Sequence, residues 1–455
     1  MMMSEIELMV RGGSVVTPDG VKRVDFGVAG GAIVRMGPDL SDDAQVTLDV
    51  TGRYVFPGIM DGHVRFQEPG RVEWEGLASG SAALAAGGGT AFFDLPLNSE
   101  PPVLDAARLR EKRVLGEEKS CVDFGLWGGL TSGNFDKLAG LRDAGAMGVV
   151  AWMAVGGGGT AGPLAVDEKG LREGMKRAAR LGLIVAVHGE SDGLGEGRAT
   201  GLQAKGKRDA GAWSAARPRE GELAAIRLAL ELAGETGCAL HILRVSCPEA
   251  VALVDEARAQ RIDATVETCP HYLLLNERDV ARLGVIAKSA PPIRDESRRM
   301  ALWAELRAGR VHTVGSDHSP VPPEMKSGED FFESWTGVAG VQHGASLLFS
   351  ECAATAEQDL PRLAAVLARN VARRFRLDGR KGLLAEGRDA DFCVIDYGSP
   401  RAIVEDELWT RHRSSLYVGR KTRARVTDTY VRGQAVLSAG RLVTLATAGR
   451  FLRPQ

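Results

Sequence analysis

An α/β chain built on a (β/α)8 TIM-like barrel, with a small β-sandwich formed by both chain ends, is the class this sequence predicts. Three observations predict it. The middle of the 455-residue chain alternates short apolar runs with longer Ala-, Leu-, Glu- and Arg-rich segments of helical spacing. Both ends read instead as short strands separated by Gly-rich and Asp-Gly turns. The length also suits a barrel of more than about 200 residues plus a smaller module. A doubly wound open sheet is the alternative arrangement of the same alternation.

In chain order, strands are expected at 8–11, 14–16, 25–28 and 32–36. The apolar run 54–60 reads as one short buried strand that leads into Asp61-Gly62-His63. Further on, strands at 184–188 and 240–245 precede helices around 220–233 and 248–260, as a parallel sheet requires. Strand texture returns at 390–396, 425–431 and 434–437. Residues 1–56 with 385–455 are therefore expected to form the sandwich, and 57–384 the barrel, since chain termini often lie close together.

Composition excludes several function classes. With 59 acidic against 57 basic side chains the formal charge is −2, so a nucleic-acid or acidic-membrane partner is not expected. The six cysteines are scattered without a C-x-x-C pair and read as reduced thiols. The start, Met-Met-Met-Ser-Glu-Ile-Glu, lacks the basic and apolar regions of a signal peptide, and no charge-free apolar stretch reaches about 18 residues. A cytoplasmic location without membrane contact is expected. No Gly-x-Gly-x-x-Gly turn or phosphate-binding lysine loop occurs, and the run Gly156–Gly159 reads as a flexible loop.

The chemistry gathers at apparent strand ends. Residues two apart on a strand share a face, so His63 and Arg65 are expected to line the same cavity. Asp61-Gly62-His63, Glu68-Pro69-Gly70-Arg71 and Trp74-Glu75-Gly76 form the first motif. Asp94-Leu95-Pro96, Val187-His188-Gly189-Glu190, Val245-Ser246-Cys247-Pro248, Cys269-Pro270-His271, Pro291-Pro292-Ile293-Arg294, Ser316-Asp317-His318 and Pro322-Pro323-Glu324-Met325-Lys326 follow in order. This series, with Tyr417-Val418-Gly419-Arg420, resembles the cyclic amidohydrolases over nearly the whole chain, and among them most closely the allantoinases.

That resemblance implies a barrel with an end-built β-sandwich, and two zinc ions that activate a hydroxide to open a cyclic amide. It implies six ligands: two histidines in His-x-His, a carboxylated lysine, two further histidines and a proton-shuttling aspartate. Carried over by position, His63, His188 and Asp317 remain, with Asp317 the catalytic candidate. Arg65, Val150 and Arg244 stand at the other three ligand positions. A guanidinium has no free lone pair and stays protonated, so neither arginine can ligate. His241 is not expected to substitute: if Arg244 faces inward, strand parity turns His241 toward the helices.

The expectation is a metal-free site in which Arg65 and Arg244 occupy the vacated positions and pair with Asp317. Their summed charge of plus one would equal that of the metal-loaded family site. The ligand implied is a small cyclic ureide or amide, touched by Gln67, Ser289 and Ser316, in a weakly active or non-catalytic protein; retained hydrolysis with one metal or none and Asp317 as base is the alternative. Gln67 stands where dihydroorotases carry an arginine, which disfavours that activity. Family resemblance also implies a homo-oligomer, commonly a tetramer. Cys269 and His271 read as packing residues, Arg71, Trp74 and Glu75 as shaping the first barrel loop, and His312, His343 and His412 carry no motif.

Overall fold

The computed structural model describes residues 5–153, 164–190, 192–443 and 449–455. The run Gly156–Gly159 lies outside them. Eight parallel strands form the barrel: Ile59–Val64, Gly89–Asp94, Asp123–Leu126, Val149–Trp152, Val185–His188, Leu240–Ile242, Ala264–Thr268 and Thr313–Val314. The third is broken at Trp127 and resumes at Gly128–Gly129 to pair with the fourth. Backbone pairing of Val64 with His318 brings the first and last strands together.

Helices pack outside because their sequences carry both periodicity and stop signals. Asp105, Asp167 and Asp295 each accept a backbone N–H at a helix start. Gly145, Gly182 and Gly237 end helices in the left-handed conformation that costs glycine least. Helices Arg219–Thr236 and Pro248–Ala259 fall where the sequence places them, the second with proline in its first turn.

Inside the barrel, Met60, Phe93, Val150, Ala186, Leu243 and Phe375 form one buried apolar cluster. The Phe375 ring meets Phe93, Trp127 and His241 edge-on at 5.0, 5.2 and 5.6 Å. A larger layer, including Val185, Val187, Leu240, Ile242 and Val266, packs between strands and helices. Alternating residues of one strand thus belong to different layers.

Both chain ends supply the sandwich. One sheet has four strands from the N-terminal segment; the other has seven and joins Tyr54–Pro57 and Ser14–Thr17 to Phe392–Ala402 and Lys421–Val431. Its core includes Phe392, edge-on to Phe26 at 5.3 Å and stacked on Tyr430 at 4.6 Å. Two expectations need correction. The run 54–60 is two strands in two sheets, divided at Gly58, where a Cβ would lie 2.3 Å from Thr90 Oγ1. The last residues also leave the sandwich: Phe451 pairs with Phe124 of the barrel, and Leu452 N donates to Phe124 O.

Lys381 lies between the two layers. Its Nζ is 2.6 Å from Asp123, 2.6 Å from Asp391 and 2.9 Å from Asp389. Among the described residues these three carboxylates are the group spaced to hold an ion. An ammonium already fills the space between them, so the cluster is a buried ion network joining barrel to sandwich.

Candidate active site

Left-handed residues just past the barrel strands position the site. Gln67, Arg244 and Asp317 have φ of 67°, 44° and 51°, and each follows the C-terminal end of its strand, where barrel sites are built. Such conformations cost on the order of 1–3 kcal/mol for non-glycine residues and re-aim the side chain.

Three cationic or imidazole groups surround Asp317. Arg65 Nη1 donates to its Oδ1 at 2.8 Å. Arg244 Nη1 donates to Oδ1 and Oδ2 at 3.0 and 2.9 Å. His63 Nε2 lies 3.1 Å from Oδ1, out of line for a hydrogen bond. Burial alone would raise the Asp317 pKa, but the positive groups, Arg244 foremost, hold it well below the ordinary carboxylate range.

Behind this group, His63 Nδ1 meets Glu267 Oε1 at 2.7 Å. Burial would lower the His63 pKa, yet the carboxylates of Glu267 and Asp317 outweigh it and raise it. His241 Nδ1 is 2.8 Å from Thr265 Oγ1, and its Nε2 is 3.7 Å from Glu267 Oε2. His241 therefore faces the barrel interior, contrary to the parity expectation. The strand ends at Ile242, and the left-handed Arg244 breaks the alternation, so His241 and Arg244 both turn inward.

His188 sits beside Arg244, whose Nε donates to His188 Nδ1 at 3.2 Å. Burial and then the Arg244 charge push its pKa down to about 4, so the ring is neutral at pH 7. Its Nε2 is 3.5 Å from Glu190, itself paired with Arg217 at 2.6 Å. Val150 is fully buried in the apolar interior cluster.

The substrate-side candidates divide. Gln67 Nε2 donates to Pro320 O at 3.0 Å, while its buried Oε1 has no partner among the described residues. Ser289 spends its hydroxyl on Pro291 O at 2.8 Å. Ser316 Oγ accepts from His318 N at 3.2 Å, and Ser316 N donates to Asp61, so this residue is not gathered around Asp317. His318 packs its ring on Phe66, Arg71 lies over Trp74, and Glu75 accepts from Arg411 N.

Sequence reading missed Glu267. Its signal was a lone acid inside the otherwise uncharged strand Ala264–Thr268, where a buried carboxylate needs a partner. Its charge also alters the expected count: Glu267 adds a negative, and plus one is restored only when His63 carries a proton.

The comparisons agree with this architecture. The model of the amidohydrolase family matches residues 54–436. An allantoinase of Deinococcus radiodurans is 45% identical over 450 residues, covering 99% of each chain. An allantoinase of Rubrobacter xylanophilus is also 45% identical, covering 100% of this chain and 99% of its own. Among solved structures, an L-hydantoinase (dihydropyrimidinase) from Arthrobacter aurescens superposes with a TM-score of 0.94 at 30% identity, covering 98% of this chain and 100% of its own. With the barrel, the strand-end site and these full-length relatives in agreement, the chain belongs to the amidohydrolase family.

Proposed function

We propose that this allantoinase-like protein binds a small cyclic ureide or amide at the barrel mouth without a binuclear metal centre, and that ring opening is weak or lost. The observation carrying this reading is the convergence of Arg65 and Arg244 on Asp317. The donor set does not fit two divalent cations. Two of the six expected ligands are guanidiniums without lone pairs, and a third is aliphatic Val150. Arg65 and Arg244 also occupy both oxygens of Asp317, one of the three ligands that remain.

The alternative, favoured by the names of the full-length relatives, is an active hydrolase with Asp317 as base and the arginines stabilising the oxyanion. Against it, a carboxylate held far below its ordinary pKa is a weak base. Metal analysis of the purified protein, beside an allantoin ring-opening assay with and without added zinc, separates the two. Little bound zinc and little turnover are expected. Robust turnover with one metal or none establishes the alternative, and two zinc ions per chain overturn both. A homo-oligomer, proposed from the family resemblance, is tested by light scattering, and the cytoplasmic location by fractionation.

A further inference from the structure

The two arginines carry more donors than their partners use. Arg65 commits Nη1 to Asp317; Arg244 commits Nη1 to Asp317 and Nε to His188. Among the described residues, Arg65 Nε and Nη2 and Arg244 Nη2 make no hydrogen bond, and they are not sealed off, although the side chains are only 8% and 9% exposed.

Neighbouring carboxylates are committed elsewhere. Glu190 pairs with Arg217 at 2.6 Å, Asp94 with Lys112 at 2.9 Å, and Glu267 with His63 at 2.7 Å. Among the described residues, Asp317 is therefore the carboxylate that both guanidiniums hydrogen-bond. Guanidinium N–H groups this buried are poorly satisfied by water and are matched best by a second carboxylate, through charge-assisted bonds.

We propose that Arg65 and Arg244 form a carboxylate clamp, so the ligand this site prefers is a ring-opened, anionic ureido acid rather than the neutral ring. The proposal rests on the metal-free reading above. Arg65 would present its Nε–Nη2 edge to the carboxylate, and Arg244 would add Nη2. A neutral ring offers these free guanidinium N–H groups no charged partner.

Calorimetric titration of the full-length protein tests this with three probes: N-carbamoylglycine, its methyl ester and hydantoin. The acid is expected to bind at least tenfold more tightly than either neutral probe, and R65Q and R244Q are each expected to weaken it at least tenfold. The ester comparison uses unmutated protein and so stands even if a variant fails to fold. Equal or tighter binding of ester or ring, or no measurable binding of the acid, to metal-free protein overturns the clamp alone. Two zinc ions per chain in the same preparation overturn the clamp together with the reading beneath it.

Discussion

One nitrogen, Arg244 Nη1, lies 3.0 and 2.9 Å from the two carboxylate oxygens of Asp317. Both residues are buried and left-handed, so the structure has placed one cation and one anion against each other at some backbone cost. Breaking such a pair from one side leaves a desolvated charge, which costs about 3–5 kcal/mol. Asp317→Asn keeps the shape, and asparagine tolerates the left-handed backbone, so it isolates the charge. Denaturant unfolding is expected to show losses of that size for Asp317→Asn and for Arg244→Met. The double variant should lose less than the sum. Strict additivity would mean that the pair is not coupled.

Gly315 allows His63 and Glu267 to meet. A Cβ at residue 315 would lie 2.8 Å from both Glu267 Oε2 and His63 Cβ. Gly315→Ala must therefore displace side chains that are themselves buried, and overpacking of this kind costs about 1–3 kcal/mol. The midpoint of urea unfolding should fall accordingly. The His63 ring resonances should also shift in a histidine-labelled NMR spectrum. Unmoved resonances would place the adjustment elsewhere.

Much of this site was legible because flanking motifs mark the strand ends at which these residues stand. His63, Arg65, Arg244 and Asp317, read from the letters around them, meet in one group with His188 beside Arg244. What sequence could not show was backbone direction. Nothing in Leu243-Arg244-Val245 marks the left-handed residue that turns both His241 and Arg244 inward, since arginine rarely adopts that conformation. Glu267 was missed because it belongs to no quoted motif, and its importance comes only from facing His63. At 54–60 the unbroken apolar run concealed the Gly58 junction between sandwich and barrel.

His271 makes acid stability a test of buried imidazole. It is fully buried with neither ring nitrogen hydrogen-bonded among the described residues, and burial pushes its pKa down to about 4. Its neutral form is favoured in the folded state. The unfolded chain takes up a proton as pH falls through about 6.5, while the folded protein resists until about 4. This contribution is thus present above pH 6.5 and lost between there and pH 4, amounting to on the order of 3 kcal/mol. His271→Phe should flatten the acid limb of a stability–pH curve over that window, whatever it does to stability at pH 8. An unchanged slope would show that His271 does not titrate as its burial implies.

Placing ligands at Arg65, Val150 and Arg244 together is the sharpest test of the proposal that these three stand at metal-ligand positions. Val150→Lys alone places an ammonium in an apolar cluster with Ala186 and Leu243, so it should destabilise by several kcal/mol or force that lysine to lose its proton. Arg65→His and Arg244→His together leave Asp317 and Glu267 with imidazoles only, which lowers the positive charge around both acids. In the triple variant the three changes support one another. Two cations would neutralise the acids, and a carboxylated lysine would bridge them. The expected outcome is zinc uptake approaching two per chain, measured by elemental analysis after dialysis, with a thermal midpoint that rises on zinc addition. The parent protein should show neither change. A triple variant that folds yet binds no zinc would overturn the placement of Arg65, Val150 and Arg244 at the ligand positions.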